Sequence, residues 1–582
     1  MTFLGGALLS ATLFGATLFG SNEAHAQFNT SRAIQRALDT NTRTALERVQ
    51  VSLAVRDSAG KVVVQKTSRN GRYLLLVFAD NRPRVWELDK SRYWDHFNAS
   101  GAPIIDAAIA GDMSFYTVHR DGRIAHWSAQ SPRPDKVIET ALRDVRAAEV
   151  GRTGELLLAN GDGVLYSVTD SAQRLARAFA GTQGSTTMAI GPSGDVLATA
   201  IDASTLRLWS ARTGAPVADA AVGKEISAFA FGEVADQLFV ATEEEVLAWD
   251  VRASRVARSF ACPAACRIET LLPNTATQAL IGVRDDGELL RWSVASGQAL
   301  AAALPSDDEL ASVSTATGSP LLIGGTTRGL VQFSHLDKPD APLTLVSTRR
   351  GWAMLDVLGR FDGQAGENNG VFWESDGFEF PLPSFVDTHF EPGLFRKWLS
   401  SDTAYMTTPT ALTEGVLTPP RIEMTLAPPN PGDSNRLIEV QVKVTDAGGG
   451  LGTPSLYHLG LRVSPARQVS RSTAVEHGRK VAMPTWRVRA LPGENTFTAR
   501  VRDEDGVVSP ARVDSVQVTG SSAEPVLHLL AVAIDDYGDE QLNLNYSLAD
   551  SSAVVTNLAE RAGSLFSEVR TTTLQNVDAS AV

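Results

Sequence analysis

The residues of this chain that could do chemistry are few. Cys262 and Cys266 are its two cysteines, spaced Cys-Pro-Ala-Ala-Cys. In an oxidising compartment such a pair can close a small disulfide loop, and in a reducing one it stays as two thiols on a turn. Two thiols do not make a four-ligand zinc site. His119 and His126 flank the Asp121-Gly122 turn, and with no third ligand in view they read as part of a solvated hairpin, not as a metal pair. Asp503-Glu504-Asp505-Gly506 supplies too few oxygens for calcium and reads as a plain hairpin. Gly448-Gly449-Gly450 is followed by no Lys-Ser or Lys-Thr, so it is a turn and not a phosphate cradle. Asp535 and Asp536 fall at a strand end and read as solvated or capping residues. The expectation is therefore no catalytic residue, no cofactor-binding residue and no metal ligand, with Cys262 and Cys266 as a candidate disulfide.

Charge narrows the partners. The 582 residues hold 53 Lys and Arg against 66 Asp and Glu, a net charge of −13, which is not the basic footprint that nucleic acid requires. With 43% apolar and 20% charged residues the composition is that of a folded globular chain. Its length predicts roughly four domains. Phe3 to Gly20 carry no charge, and Ala24-His25-Ala26 precede Gln27 in a small-x-small cleavage pattern, which predicts a signal peptide over 1–26 and export to the periplasm or beyond. No Lys or Arg precedes the apolar run, so a retained anchor is the alternative, and through it the chain would meet a membrane. Ser31 to Val49 have the look of a short helix, giving a helical leader over 27–48.

These features must be held by a scaffold, and the scaffold repeats. From residue 61 the chain cycles through an apolar strand, a Gly-containing turn, a second apolar strand, a polar turn and a third strand ending in an aromatic residue. The terminal aromatics Trp86, Trp127, Tyr166, Trp209, Trp249, Trp292 and Phe333 are separated by 41, 39, 43, 40, 43 and 41 residues. Units of this length with short antiparallel strands match propeller blades, in which aromatics fill the space between tapered sheets. A seven-bladed β-propeller over 49–348 is expected. Trp209-Ser-Ala-Arg-Thr-Gly214, Trp249-Asp250 and Trp292-Ser-Val-Ala-Ser-Gly297 resemble the ends of WD40 repeats. Both Val49–Val55 and Pro342–Ser347 alternate like strands, and either could close the ring.

An aromatic-rich connector follows over 349–418, with Trp352, Phe361, Trp373, Phe380, Phe385, Phe395 and Trp398 too large and apolar to lie in solvent. Alternating strands separated by turns over 419–519 predict an immunoglobulin-like β-sandwich. Over 524–582, the apolar run Val526–Ile534 reads as a strand buried on both faces. A helix from about Tyr546 with Val554, Leu558, Ala562 and Leu565 on one face comes next, and then a strand from Glu568. The fold class is thus multidomain and mainly β, ending in the start of an α/β domain.

Two of these stretches resemble a family of bacterial caspase-like proteins of the C14 peptidase type. The first is Trp352-x6-Gly359-Arg360-Phe361-Asp362 with the later Phe390-x3-Leu394-Phe395-Arg396. The second is the strand Leu527–Ile534 with Asp535-Asp536-Tyr537, Leu542-Asn-Leu-Asn-Tyr546 and Leu548-Ala549-Asp550, the last followed by Ser551 where the family has alanine. The resemblance implies an exported cysteine endopeptidase whose propeller and sandwich recruit protein partners or substrates, without a cofactor. Its catalytic His and Cys have no counterpart here, since His528 is the last histidine and no cysteine follows Cys266. The resemblance therefore implies an N-terminal part of a longer protein. The alternative is an exported, non-enzymatic propeller scaffold that binds proteins.

Overall fold

The computed structural model describes residues 48–576 apart from residue 100 and short stretches, the longest being 169–176, 179–187, 302–308 and 401–408. The expected signal peptide lies outside the described residues, as does the helical leader except Arg48, which opens a strand, Arg48–Val49, paired with Val416–Leu417. The described chain is mainly β and divides into two units, 1–417 and 418–582.

In the first unit seven antiparallel sheets follow one another, each with its strands hydrogen-bonded in chain order. Their first strands are β1 (Val62–Thr67), β2 (Ile104–Ile109), β3 (Val145–Val150), β4 (Met188–Ile190), β5 (Ile226–Phe231), β6 (Ile268–Asn274) and β7 (Leu310–Thr315). Short apolar runs joined by tight turns can pair only with their immediate neighbours, antiparallel. Gly71 shows why the turns need glycine: its φ is +68°, and a Cβ there would stand 2.0 Å from the Thr317 carbonyl oxygen of another sheet's turn.

Every one of the seven recurring aromatics lies on the third strand of its sheet. Trp86, Trp127, Trp209, Trp292 and Phe333 are at most 1% exposed, whereas Tyr166 is half-buried. First strands lie side by side in two runs: β1 on β2 and β2 on β3, then β4 through β7 in order, with β7 returning to β1. Side chains fasten that return. Gln65 Nε2 donates to Ser314 Oγ and to the Ile323 carbonyl, both at 2.8 Å, and Thr67 Oγ1 donates to the Thr315 carbonyl at 2.9 Å. The segment ahead of β1 joins the seventh sheet through Ala59 N–H to Ser347 O (3.1 Å) and Arg349 N–H to Asp57 O (2.9 Å).

Of the two segments that could complete the repeat, Pro342–Ser347 does so as part of the fourth strand of the seventh sheet, Lys338–Ser347. Ser52–Val55 instead pairs with Val371–Ser375 of the connector, so the seven-sheet repeat begins after it and not at residue 49. Alternation marks a strand but does not choose its partner. The connector extends the seventh sheet with Trp352–Leu355 and Phe361–Gly363 and buries Phe361, Phe380, Phe385 and Phe395. Phe395 and Leu394 pack into one core with Trp86 and Phe333, which ties the connector to the first and seventh sheets.

The second unit opens with two four-stranded antiparallel sheets. One has the order Arg421–Ala427, Leu437–Thr445, Arg479–Arg489, Gln468–Glu476, and the other Leu461–Arg462, Pro454–His458, Gly493–Val501, Arg512–Val518. Alternate residues Ile438, Val440, Val442 and Val444 share a core with Trp486, Leu456, Phe497 and Val501, so the sheets meet face to face.

The unit ends in a parallel pair, β8 (Val526–Ala533) and β9 (Glu568–Gln575), joined by helix α1 (Ser547–Ala562). Apolar surface stays open here. β8 is not buried on both faces, because its residues alternate and leave Leu530 66% and Val532 53% exposed. The helix also turns its expected apolar face outward: Val554, Leu558 and Leu565 are exposed, and Ala562 alone of the four is buried. Leu548, Ser551, Val555 and Ala559 make up its half-buried side. A two-stranded sheet is too narrow to cover a helix face and both of its own faces at once.

Candidate functional site

Three adjacent first strands bring together charged residues that are 40 and 43 positions apart. Lys66 of β1 places Nζ 3.2 Å from Glu149 Oε1 of β3 and 3.8 Å from Asp106 Oδ1 of β2, and donates to the Ala148 carbonyl at 3.3 Å. The three side chains are 28%, 31% and 12% exposed, so water reaches the cluster. Burial by itself would lower the pKa of Lys66, but the Asp106 and Glu149 carboxylates outweigh it and hold the ammonium well above its ordinary value. Burial pushes the Asp106 carboxyl up against the pull of Lys66, while the Ala107 N–H donates to Oδ1 at 2.8 Å. An amine held protonated has no lone pair to act as nucleophile or base. The cluster is a fixed arrangement of charge with one carboxylate in excess, suited to recognition.

The turns that follow the first strands are tied to one another. Asn70 Nδ2 donates to Gly111 O at 2.8 Å, Arg69 Nη2 to Gly151 O at 2.9 Å, Arg152 N–H to Gly194 O at 3.2 Å and Asn274 Nδ2 to Ser319 O at 2.8 Å. Hydrogen bonds of this kind hold loops in fixed positions relative to one another, which is what a preorganised binding rim needs.

His119 and His126 do not form the solvated hairpin the sequence suggested. His119 is 4% exposed and lies in a relay in which Trp127 Nε1 donates to Thr117 Oγ1 at 3.0 Å, Thr117 Oγ1 meets His119 Nε2 at 3.1 Å, and His119 Nδ1 meets Ala102 O at 2.8 Å. Burial holds the His119 imidazole below its usual pKa, so it is neutral at pH 7. His126 packs against Tyr116 with ring centroids 4.7 Å apart and the planes tilted by 43°. Trp209 Nε1 repeats the indole contact with Thr199 Oγ1 at 3.0 Å, again across ten residues. A signal was present, since each Thr stands ten positions before its Trp, yet only pairing of adjacent strands makes that spacing a contact. Thr117→Val keeps the shape and is expected to cost about 2 kcal/mol, because it strands a buried indole N–H and an imidazole nitrogen. Urea denaturation checks this, and a loss under about 0.5 kcal/mol would contradict it.

The other candidates are structural. Cys262 and Cys266 are joined as a disulfide with Cα atoms 5.4 Å apart. Asp446 Oδ1 accepts from Gly448 and Gly450 N–H at 2.8 and 3.0 Å, which folds the glycine run into a turn. Asp503 Oδ1 accepts from Val507 N–H at 2.8 Å across its own hairpin. The N–H groups of Asp535 and Asp536 donate to Asn576 Oδ1 at 3.0 and 3.3 Å, so the Asn576 side chain holds this loop. Within the Arg360-Phe361-Asp362 motif, Arg360 Nε donates to Asp356 Oδ2 at 2.6 Å, Phe361 is buried, and Asp362 Oδ2 accepts from Gly393 N–H at 2.8 Å. That motif builds the connector. Among the described residues no group of three His, Cys, Asp or Glu is placed to hold a metal, and no helix is long and apolar enough to cross a membrane. No family model matches the chain, and no curated protein matches it.

Proposed function

We propose that this chain is the protein-recruiting part of an exported caspase-like cysteine endopeptidase, built from a seven-bladed WD40-type propeller, an immunoglobulin-like sandwich and the opening of a caspase-like domain. One observation carries the reading: six four-stranded sheets and a seventh extended to six strands, two facing four-stranded sheets and a parallel strand–helix–strand crossover occur in that order along the chain. The propeller reading is supported by the return of β7 to β1 and by the recurring third-strand aromatics. In this proposal the tied turns around the Lys66 cluster present a rigid face to a protein partner or substrate.

The second reading, a non-enzymatic exported scaffold, is favoured by the residues themselves: no thiol follows Cys266, and that cysteine is already bonded to Cys262. The chain as given is expected to hydrolyse no peptide, before or after Cys262→Ser and Cys266→Ser, because nucleophile and base cannot be assembled. Reading the native coding sequence past the codon for Val582 separates the two. An open frame running to a His-Gly and a later Cys, with hydrolysis blocked by thiol alkylation, supports the peptidase. A stop codon there overturns it and leaves the scaffold.

A further inference from the structure

The strand Gln468–Glu476 is a sheet edge that nothing among the described residues covers. It is outermost in its sheet, and Val469 to Val475 are all exposed. The opposite edges of the two sheets, Arg421–Ala427 and Arg512–Val518, lie against each other. On the open side the facing sheet ends in Leu461–Arg462, a strand of two residues, which leaves Leu461 77% exposed and Val475 71% exposed. Natural edges of this length are usually blunted by proline, charge, bulges or a covering segment. This one has no proline, its bulge is confined to the Gln468–Ser470 end, its charge is the basic Arg471, and its one acidic residue, Glu476, is engaged by Lys443 at 2.7 Å.

The pairing register shows which backbone groups are available. His477 and Gly478 both have positive φ, +49° and +78°, and form a two-residue hairpin turn closed by Glu476 and Arg479. Such a closing pair exchanges hydrogen bonds, and bonded and non-bonded pairs then alternate along an antiparallel ladder. The non-bonded pairs are Val475 with Lys480, Thr473 with Ala482 and Arg471 with Pro484. Pro484 lacks an N–H, and none is needed there toward the edge strand. The N–H and C=O of Arg471, Thr473 and Val475 therefore point away from the sheet, and no group among the described residues pairs with them.

Charge selects the occupant. Residues 461–490 contain seven Arg and Lys and one Glu, in a chain whose net charge is −13. Arg467, Arg471, Arg479 and Lys480 are exposed and have no acidic partner among the described residues. We propose that Gln468–Glu476 accepts an extended, acidic segment of a partner protein as an added antiparallel strand. The three outward amides and carbonyls pair with its backbone, alternate apolar side chains cover Val475, and its carboxylates meet the four cations. An anionic membrane would use the cations and leave the edge unpaired, so the free ladder groups favour the peptide. The inference does not depend on the peptidase reading.

The test titrates the full chain with a fluorescein-labelled peptide alternating valine with aspartate or glutamate. Thr473→Pro removes one outward N–H and is tolerated on the solvent side of an edge strand. It is expected to weaken binding about tenfold or more, as is the pair Arg471→Glu with Arg479→Glu. Bound peptide should also slow hydrogen exchange at the amides of Arg471, Thr473 and Val475 in the unaltered chain, a readout that stands even where a variant fails to fold. A peptide with lysine in place of the acids should not bind. The proposal is overturned where exchange at those three amides is unchanged by saturating peptide, where a folded Thr473→Pro chain binds as tightly as the parent, or where phosphatidylserine vesicles bind and the peptide does not.

Discussion

Lys66→Met is expected to lower the unfolding free energy by about 3 kcal/mol at neutral pH and by clearly less at pH 5. The substitution keeps most of the side-chain volume and removes the ammonium that stands between Asp106 and Glu149. Two partly desolvated carboxylates then face each other across adjacent strands, and breaking such a group costs more than the group contributes when intact. Burial already pushes the Asp106 carboxyl above its ordinary value of 3.8, with Lys66 opposing. A carboxyl whose pKa is higher in the folded state stabilises the fold most below its unfolded value, and this contribution is lost as pH rises through the folded value. Without Lys66 the folded value rises further, so the window widens upward and the deficit is greatest at neutral pH. Adding Asp106→Asn to Lys66→Met should recover about half of the loss by removing one of the two like charges. Chemical denaturation of the three variants at pH 7 and pH 5 measures all of this. A deficit that is equal at the two pH values would show that the cluster is solvated and carries no electrostatic weight.

Trp86→Ala should cost about 4 kcal/mol, the range for emptying a buried tryptophan site. Trp86 is 1% exposed and packs against Tyr93, Trp352 and Phe395 at 5.5, 5.3 and 5.4 Å between ring centroids, with Phe333 of the seventh sheet at 6.5 Å. It is thus the point at which the first sheet, the last sheet and the connector share one core. Trp86→Phe is expected to lose only about 1 kcal/mol, because the indole Nε1 has no hydrogen-bond partner among the described residues and nothing polar is stranded by its removal. Trp127→Phe should cost more than Trp86→Phe although both side chains are equally buried, since it deprives Thr117 of its donor. Thermal and urea unfolding of the set would decide it. Equal losses for the two Trp→Phe changes would remove the relay from the account.

Much of the architecture was legible because strand and turn signals are local. The seven aromatics mark the third strand of every sheet, and apolar runs bounded by Asn-Gly, Ser-Gly or Asp-Gly mark the hairpins. The partner of Ser52–Val55 was not legible, since a strand that alternates can pair with any free edge of matching register. The burial of His119 was not legible either. Its neighbours Asp121 and Gly122 are those of an exposed turn, whereas the Ala102 carbonyl comes from the bend before Ile104–Ile109 and the Trp127 indole, through Thr117, from the next strand.

The candidate site divides in the same way. Residue types and spacing, by themselves, put no cysteine after Cys266 and the last histidine, His528, within a strand. They also determined the mainly β character, since period-two apolar runs with short loops can bury their faces only by antiparallel pairing. The tertiary structure alone decided which charges meet. Lys66, Asp106 and Glu149 are unremarkable strand residues until β1, β2 and β3 lie side by side, and Coulomb energy depends on distance in space and not along the chain. Likewise only sheet order shows that Gln468–Glu476 is an edge, because a strand's local pattern does not record whether a neighbour takes its outward hydrogen bonds.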